Sequence, residues 1–247
     1  MRRIVRAQRQ DAHCQEGLLQ EGHPQEAHRQ IPESSAKYVY CVIRAPQEQK
    51  SFGENGFEAG EVYSLEYRDL APVVSDVAFR NYAVNEVEVE VHRKVVENIM
   101  KEYSVIPVAY GMAFKSRKLL QIAMGAGYQA MQKALDVVDD KVELGIKVFL
   151  PKDHEDWDGA KRQECSSEFV QNLLALSADW KKLKLFSDRL VLNAAFLVDK
   201  SNIDEFSEQV GKLTGKYDHL KVQYSGPWPA YNFVDIHILG GKRRGFR

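Results

Sequence analysis

The sequence predicts an α+β protein made of two domains that are joined by a helical linker. Segments in which apolar and polar residues alternate, as in strands, are interleaved with segments that repeat every three or four residues, as in helices. In the last third, a strand, a helix and a second strand follow in the order of half a ferredoxin-like sandwich. A polar stretch at 151–164, PKDHEDWDGAKRQE, interrupts the pattern and indicates the boundary between the domains.

The predicted domain limits follow from these changes of pattern. We expect an N-terminal α+β domain at 37–151, a helical linker at 152–186 and a C-terminal α+β domain at 187–239. Residues 1–36 are rich in glutamine and contain no aromatic residue. Such a segment buries too little apolar surface to offset the entropy lost on ordering, so we predict a disordered extension. Residues 240–247, GGKRRGFR, are expected to form a basic tail.

The elements of the first half are predicted in turn. KYVYCVIR at 37–44 is rich in β-branched and aromatic residues and predicts a strand, and 61–77 predicts two more short strands. Residues 86–102 predict a helix, although NEVEVEV alternates like a strand, because an apolar side chain recurs every four residues: Val87, Val91, Val95 and Ile99. VIPVAYGMAF at 105–114 predicts one buried strand. The segment 115–138 then predicts a long helix.

The second half is predicted in the same way. KVELGIKVFL at 141–150 predicts a strand that turns Lys141, Glu143 and Lys147 to the face opposite its apolar residues. A helix is predicted from about 160 to 186 because large apolar residues step by four and three: Phe169, Leu173, Leu176, Trp180 and Leu183. Residues 190–199 predict a buried strand, Ser201 begins a helix that ends before Gly215, and HLKVQY predicts the last strand.

Composition narrows the classes of function. Lysine and arginine number 34 against 35 aspartate and glutamate, a net charge of −1, which excludes a general attraction for nucleic acid or anionic lipid. No stretch reaches the roughly 18–20 apolar residues that span a bilayer. Cys14, Cys41 and Cys165 are odd in number and lack a C-x-x-C pair, so we expect reduced thiols and a cytoplasmic location.

The sequence contains no constellation of nucleophile, base and orienting group, and we predict that the protein is not an enzyme. The string Gly125–Ala130 fits G-x-G-x-x-A, but helical pattern separates it from the preceding strand, which favours helix packing over dinucleotide binding. His92 fits either a general base or a solvated helix residue. Asp139–Asp140 and the acidic run 153–156 fit either metal ligands or solvated turns. We therefore expect no catalytic residue, no cofactor and no metal.

One aromatic motif stands out. SGPWPAYNFV at 225–234 follows the last predicted strand and carries Trp228, Tyr231 and Phe233 between and after two prolines. Proline restricts the backbone and lowers the entropy that such a segment loses on ordering. The segment therefore either folds back over the sheet or presents aromatic anchors to a partner, and the two interpretations are compatible.

Four segments together resemble the gas vesicle protein GvpF/GvpL family. They are KYVYCVIR, HRKVVENIMKEYSVIPVAYGMAF, LVLNAAFLVDKSNIDEFSEQVGKL and GPWPAYNFV, and the similarity covers about residues 37–238. Tyr110-Gly111 stands where the family usually has Phe-Gly. The resemblance implies a modified ferredoxin-like N-terminal domain, a related ferredoxin-like C-terminal domain and a tail that packs back between them.

The resemblance also implies a role. It indicates a non-enzymatic accessory or minor structural protein of the gas vesicle, which contacts the major hydrophobic shell protein and other gas vesicle accessory proteins, with no nucleic acid and no lipid membrane as partner. Candidate contact residues are Trp228, Tyr231 and Phe233, with Phe52 and Phe57 from the loop 45–60. Local packing is the alternative for the two loop phenylalanines. The alternative function is a ferredoxin-like regulatory module that binds a small molecule or RNA.

Overall fold

The computed structural model describes residues 35–152 and 157–234. The predicted extension at 1–36, except for its last two residues, and the predicted basic tail at 240–247 lie outside the described residues, as do Cys14 and the acidic run 153–156. Strand β1 begins at Ala36, one residue before the predicted start of the first strand.

The first half of the described chain forms an antiparallel sheet with two helices. The strand order is β2-β3-β1-β4, and β5 also pairs with β1. The elements are β1 (Ala36–Arg44), β2 (Val62–Ser64), β3 (Leu70–Val77), α1 (Glu86–Ile99), β4 (Ile106–Pro107), β5 (Ala113–Phe114) and α2 (Arg117–Val138). Residues 38–43 of β1 are buried on both faces of the strand, which explains why apolar and aromatic residues follow one another there without alternation.

The second half forms an antiparallel sheet with the order β7-β8-β6-β9. Its elements are β6 (Lys141–Phe149), α3 (Gly159–Leu174), β7 (Asp179–Lys182), β8 (Leu190–Asp199), α4 (Ile203–Lys216) and β9 (Lys221–Trp228). Three phenylalanines, Phe169 of α3, Phe196 of β8 and Phe206 of α4, are fully buried where the helices pack on this sheet. Helices and two antiparallel sheets confirm the predicted α+β class.

The helix starts follow from side-chain caps. The Asn85 carboxamide oxygen accepts from the backbone N–H groups of Val87 at 2.9 Å and Glu88 at 3.3 Å. These bonds satisfy donors that a helix leaves free at its first turn. The cap and the four-residue repeat therefore prevail over the alternation of NEVEVEV, and the predicted helix is confirmed.

Three predicted elements are wrong. The strand expected at 105–114 is two strands of two residues each, because the chain turns at Gly111, which has a φ of 89°. The helix expected to 186 ends at Leu174, and 179–182 pairs with β8 instead, where Trp180 stacks on Phe196. Gly215 does not terminate a helix, since α4 continues to Lys216.

The pairing of strand β6 crosses the predicted domain boundary. The strand lies within the range predicted for the N-terminal domain, 37–151, but it pairs with β8 and β9 of the second sheet. The domain limits themselves stay a prediction.

Replacing Gly211 with alanine is expected to raise the free energy of unfolding by about 1 kcal/mol, because glycine within a helix costs about that much relative to alanine. Gly211 lies inside α4, and a Cβ there would meet no heavy atom within 4 Å. Urea unfolding at neutral pH measures the change.

Gly56→Ala serves as the opposite control, because its Cβ would lie 2.8 Å from the Gly60 carbonyl oxygen. We expect this variant to be less stable than the wild type. A Gly211→Ala protein that is no more stable than the wild type would contradict the prediction.

Candidate partner-binding site

The C-terminal segment, residues 229–234, leaves β9 and packs back onto the protein. Ala230 is only 2% exposed and belongs to the apolar cluster between α2 and the first sheet, together with Leu197 of β8. Phe233 and Val234 are half-buried against the same cluster. The segment therefore contacts residues of both sheets, which agrees with the fold-back interpretation of the aromatic motif.

A buried carboxylate holds this segment in place. Glu143 of β6 is 7% exposed, and it accepts hydrogen bonds from the Asn232 backbone N–H at 2.8 Å and from its side-chain Nδ2 at 2.6 Å. Burial raises the pKa of Glu143, while the two bonds from Asn232 and the charge of Lys181 act in the opposite direction. The two donors match the two oxygens, so the Glu143–Asn232 pair fixes the segment at its midpoint.

The three aromatic residues of the motif differ in exposure. Trp228 and Phe233 are half-buried, with the Arg93 guanidinium 5.7 Å from the Trp228 ring centroid and the Lys181 Nζ 5.5 Å from that of Phe233. Tyr231 is 42% exposed. Burial raises the pKa of its hydroxyl to about 12. Among the three, Tyr231 presents the largest exposed fraction.

The two loop phenylalanines also differ. Phe52 is half-buried, with its ring centroid 5.9 Å from that of Tyr103 and 5.5 Å from the Lys50 Nζ. Phe57 is 6% exposed, and its ring lies edge-on to Tyr38 at 4.5 Å. Phe57 is buried because the loop folds over the aromatic residues of β1. Local packing accounts for its position.

His92 is neither solvated nor available as a base. It is 3% exposed, and its Nδ1 lies 2.9 Å from the Tyr38 hydroxyl and its Nε2 2.9 Å from the Val108 carbonyl oxygen. Because a carbonyl only accepts, Nε2 carries the proton and Nδ1 accepts from Tyr38. Tyr38 in turn accepts from the Gly111 N–H at 2.9 Å. This His92 network ties α1 and β1 to the turn at 108–111.

The other residues considered for chemistry have structural partners. Asp139 accepts from the Ser104 hydroxyl at 2.8 Å. Burial raises the pKa of both the Cys41 and Cys165 thiols, to about 11 for Cys165, so neither is a thiolate at neutral pH. A Cβ at Gly125 would lie 2.8 Å from the Tyr67 hydroxyl oxygen, which explains a glycine within α2.

The described ranges hold neither a cluster of metal-ligating side chains nor a membrane-spanning helix. Within 35–152 and 157–234, no group of three or more histidine, cysteine, aspartate or glutamate side chains is placed to hold a metal ion. Among the helices of that part of the chain, none combines the length and the apolar character that crossing a membrane requires.

Comparison with known proteins places these observations in one family. Residues 36–159 and 154–235 match the family model described as gas vesicle synthesis protein GvpL/GvpF. Gas vesicle protein F1 of Halobacterium salinarum is 35% identical over 214 residues, covering 85% of this chain and 98% of that protein. Gas vesicle protein F of Haloferax mediterranei is also 35% identical over 214 residues, covering 84% and 97%.

A solved structure has the same fold. The crystal structure of GvpF from Anabaena sp. PCC7120 superposes on this chain with a TM-score of 0.73 at 18% sequence identity. It covers 83% of this chain and 100% of the other.

Proposed function

The chain belongs to the gas vesicle GvpL/GvpF family, and we propose that it acts as a non-enzymatic accessory or minor structural protein in gas vesicle assembly. The family predicted from the residues is thereby confirmed, and it supports a role in assembly. The proposal adds the partners, which are the major shell protein and other gas vesicle accessory proteins, and the location at the gas vesicle.

The exposure of Tyr231, on a segment that the Glu143–Asn232 pair holds in place, carries this proposal. A hydrophobic subunit that polymerises into a β-rich wall exposes apolar surface and strand edges before it assembles, and such surfaces aggregate unless they are covered. An aromatic ring held on an ordered segment binds an apolar surface without losing much further entropy. Tyr231 is 42% exposed, and the Glu143–Asn232 pair holds its neighbour. Trp228, Phe233 and Phe52 are half-buried and would extend the contact. Phe57 is buried and packs beneath its loop, so it takes no part in the proposed contact.

The finer description of the fold is part of the same proposal. The second sheet follows the order β-α-β-β-α-β through β6, α3, β7, β8, α4 and β9. Its strands lie in the order β7-β8-β6-β9, so that the first strand is next to the third and the fourth. This connectivity supports a ferredoxin-like sandwich for the second sheet and its helices.

Replacing Tyr231 with alanine is expected to weaken capture of the shell protein about tenfold, the usual effect of truncating an aromatic anchor. The test co-expresses the tagged full chain with the shell protein and measures the shell protein retained. Vesicle formation is scored in cells whose own copy of the gene is deleted.

The matched control is Tyr224→Ala, because Tyr224 lies on β9 and is 37% exposed. Capture that is equal in Tyr231→Ala and in the wild type would refute the proposed contact. Absence of shell-protein capture, together with saturable and salt-dependent RNA binding by the wild type, would refute the assembly role in favour of a binding module.

A further inference from the structure

Helix α2 carries a second apolar stripe that faces away from its core contacts. One face of the helix packs on the first sheet through residues such as Leu120, Met124 and Leu135. The stripe on another face is exposed, and its members step by three or four residues: Leu119, Ile122, Ala126, Ala130, Lys133 and Val137, of which Lys133 is charged. Ile122 is 60% exposed, Val137 50% and Leu119 45%. This spacing is that of a helix that packs on another helix.

The charges along α2 are arranged against its own dipole. Lys115, Arg117 and Lys118 lie at its N-terminal end, and Asp136, Asp139 and Asp140 at or just after its C-terminal end. The first turn contains no acidic residue and the last no basic residue. Cations near an N-terminus and anions near a C-terminus destabilise an isolated helix. An antiparallel neighbouring helix of the same sequence would reverse this penalty, because each basic end would face an acidic one.

The basic end of α2 has no partner of opposite charge among the residues that the structure describes. Within the described ranges, Lys115, Arg117 and Lys118 form no ion pair, and the Lys115 Nζ instead lies 5.1 Å from the Phe79 ring centroid. At the acidic end, Asp136 bonds Arg44 at 2.6 Å but its side chain is 68% exposed. Asp140 lies 3.7 Å from the Lys200 Nζ and is 77% exposed. Both carboxylates therefore keep accessible oxygens for a further cation.

We propose that the exposed stripe of α2 binds a second copy of this chain, with the two α2 helices antiparallel about a two-fold axis near residue 128. This arrangement is self-complementary, as a two-fold interface requires. Leu119 of one copy meets Val137 of the other, and the small side chains of Ala126 and Ala130 meet at the centre, where they allow close approach. The 22 residues of α2 extend over about 33 Å, which is long enough for the central contact and for one contact towards each end.

The flanking charges fit the same axis. Lys118 and Asp136 lie on the same side of the stripe, since 18 residues separate them and five helical turns span 18 residues. Two-fold symmetry therefore sets Lys118 of each copy beside Asp136 of the other. The interface rests on α2 alone, so it is independent of the shell-protein contact proposed for Tyr231.

Sedimentation of the full chain over a wide range of concentrations tests the proposal. We expect a dimer whose dissociation constant Ile122→Lys raises about 100-fold or more, because the new ammonium group would face Lys133 of the other copy in each half of the interface. Val87→Lys is the matched control, since Val87 is 72% exposed on α1 and outside the stripe. Circular dichroism shows that each variant folds.

A charge exchange separates this interface from any other. Lys118→Glu alone places two carboxylates side by side and is expected to weaken the dimer, whereas Lys118→Glu combined with Asp136→Lys is expected to restore it. A wild-type chain that stays monomeric at every concentration would overturn the proposal. So would a dimer that survives Ile122→Lys, or one that the charge exchange fails to restore.

Discussion

Lowering the pH from 7.5 to 4 is expected to remove about 3 kcal/mol of stability through His92 alone. Burial lowers the pKa of His92 from 6.5 to about 4, because the ring is 3% exposed and a charged imidazole there is poorly solvated. The unfolded chain therefore binds the proton at a higher pH than the folded chain. Stability from this residue is complete above pH 6.5, declines as the pH falls, and is lost by about pH 4.

The size of the effect depends on the network around the ring. Nδ1 accepts from Tyr38 and Nε2 donates to the Val108 carbonyl, so a second proton on Nδ1 would face the Tyr38 hydroxyl and break that bond. The aromatic side chains around the ring, which include Tyr40 and Tyr110, offer no carboxylate to stabilise the charge. Glu88 lies beyond Tyr110, whose hydroxyl donates to it at 2.6 Å.

The measurement is urea unfolding of the wild type and of His92→Gln at pH 7.5, 5 and 4. Glutamine keeps an acceptor and a donor but does not titrate. The hydrogen bond from Tyr110 lowers the pKa of Glu88, so that carboxylate also loses stabilising interactions in acid, but it does so in both proteins. We expect the wild type to lose about 2 kcal/mol more than His92→Gln by pH 5 and about 3 kcal/mol more by pH 4. Equal losses in the two proteins would contradict the prediction.

His92 also shows which features of the structure the sequence can predict. The four-residue repeat of Val87, Val91, Val95 and Ile99 was sufficient to predict α1, because an amphipathic helix is encoded locally. The same repeat does not show what packs beside His92. Its partners lie 54 residues before it and 16 residues after it, and they are brought to it only when β1 and the turn at 108–111 fold together.

The wrong prediction of a helix to residue 186 also arises because long-range contacts are not visible in a local pattern. Trp180 continues the apolar steps of α3, yet its backbone pairs with β8 and its ring stacks on Phe196. An exposed edge of a sheet offers hydrogen bonds that a local pattern does not reveal, and tertiary pairing prevails over local propensity. Glu143 was placed on the polar face of its strand, and the alternation was right about the face. The alternation does not show that the C-terminal segment, residues 229–234, covers Glu143.

Replacing Glu143 with alanine is expected to lower the free energy of unfolding by about 3 kcal/mol and to release residues 229–234. The substitution leaves the backbone N–H and the side-chain amide of Asn232 without their acceptor in a site that is 7% exposed at Glu143. Asn232→Ala removes one donor but keeps the backbone bond, so a smaller loss of about 2 kcal/mol is expected. The double variant should lose about 3 kcal/mol, less than the sum, because the two residues act through the same bonds.

Hydrogen exchange shows whether the segment itself is released. The Asn232 amide donates to a buried carboxylate at 2.8 Å, so its exchange in the wild type requires that this bond opens. In Glu143→Ala we expect faster exchange at Asn232 and at its neighbours Ala230 and Phe233, with the amides of β8 unchanged. Glu168→Ala is the control, since Glu168 accepts from Lys216 and Tyr217 on the other side of the second sheet.

The same variant connects the structure of the segment to its proposed role. Tyr231 lies next to Asn232, so a segment that is no longer held by Glu143 would present the ring in many orientations and lose more entropy on binding. Shell-protein capture should therefore fall in Glu143→Ala even though Tyr231 is intact, and it should be unaffected in Glu168→Ala. If the Asn232 amide exchanges at the wild-type rate in Glu143→Ala, the apolar contacts of Ala230 and Phe233 hold the segment without the carboxylate. The Glu143–Asn232 pair would then have no part in presenting Tyr231.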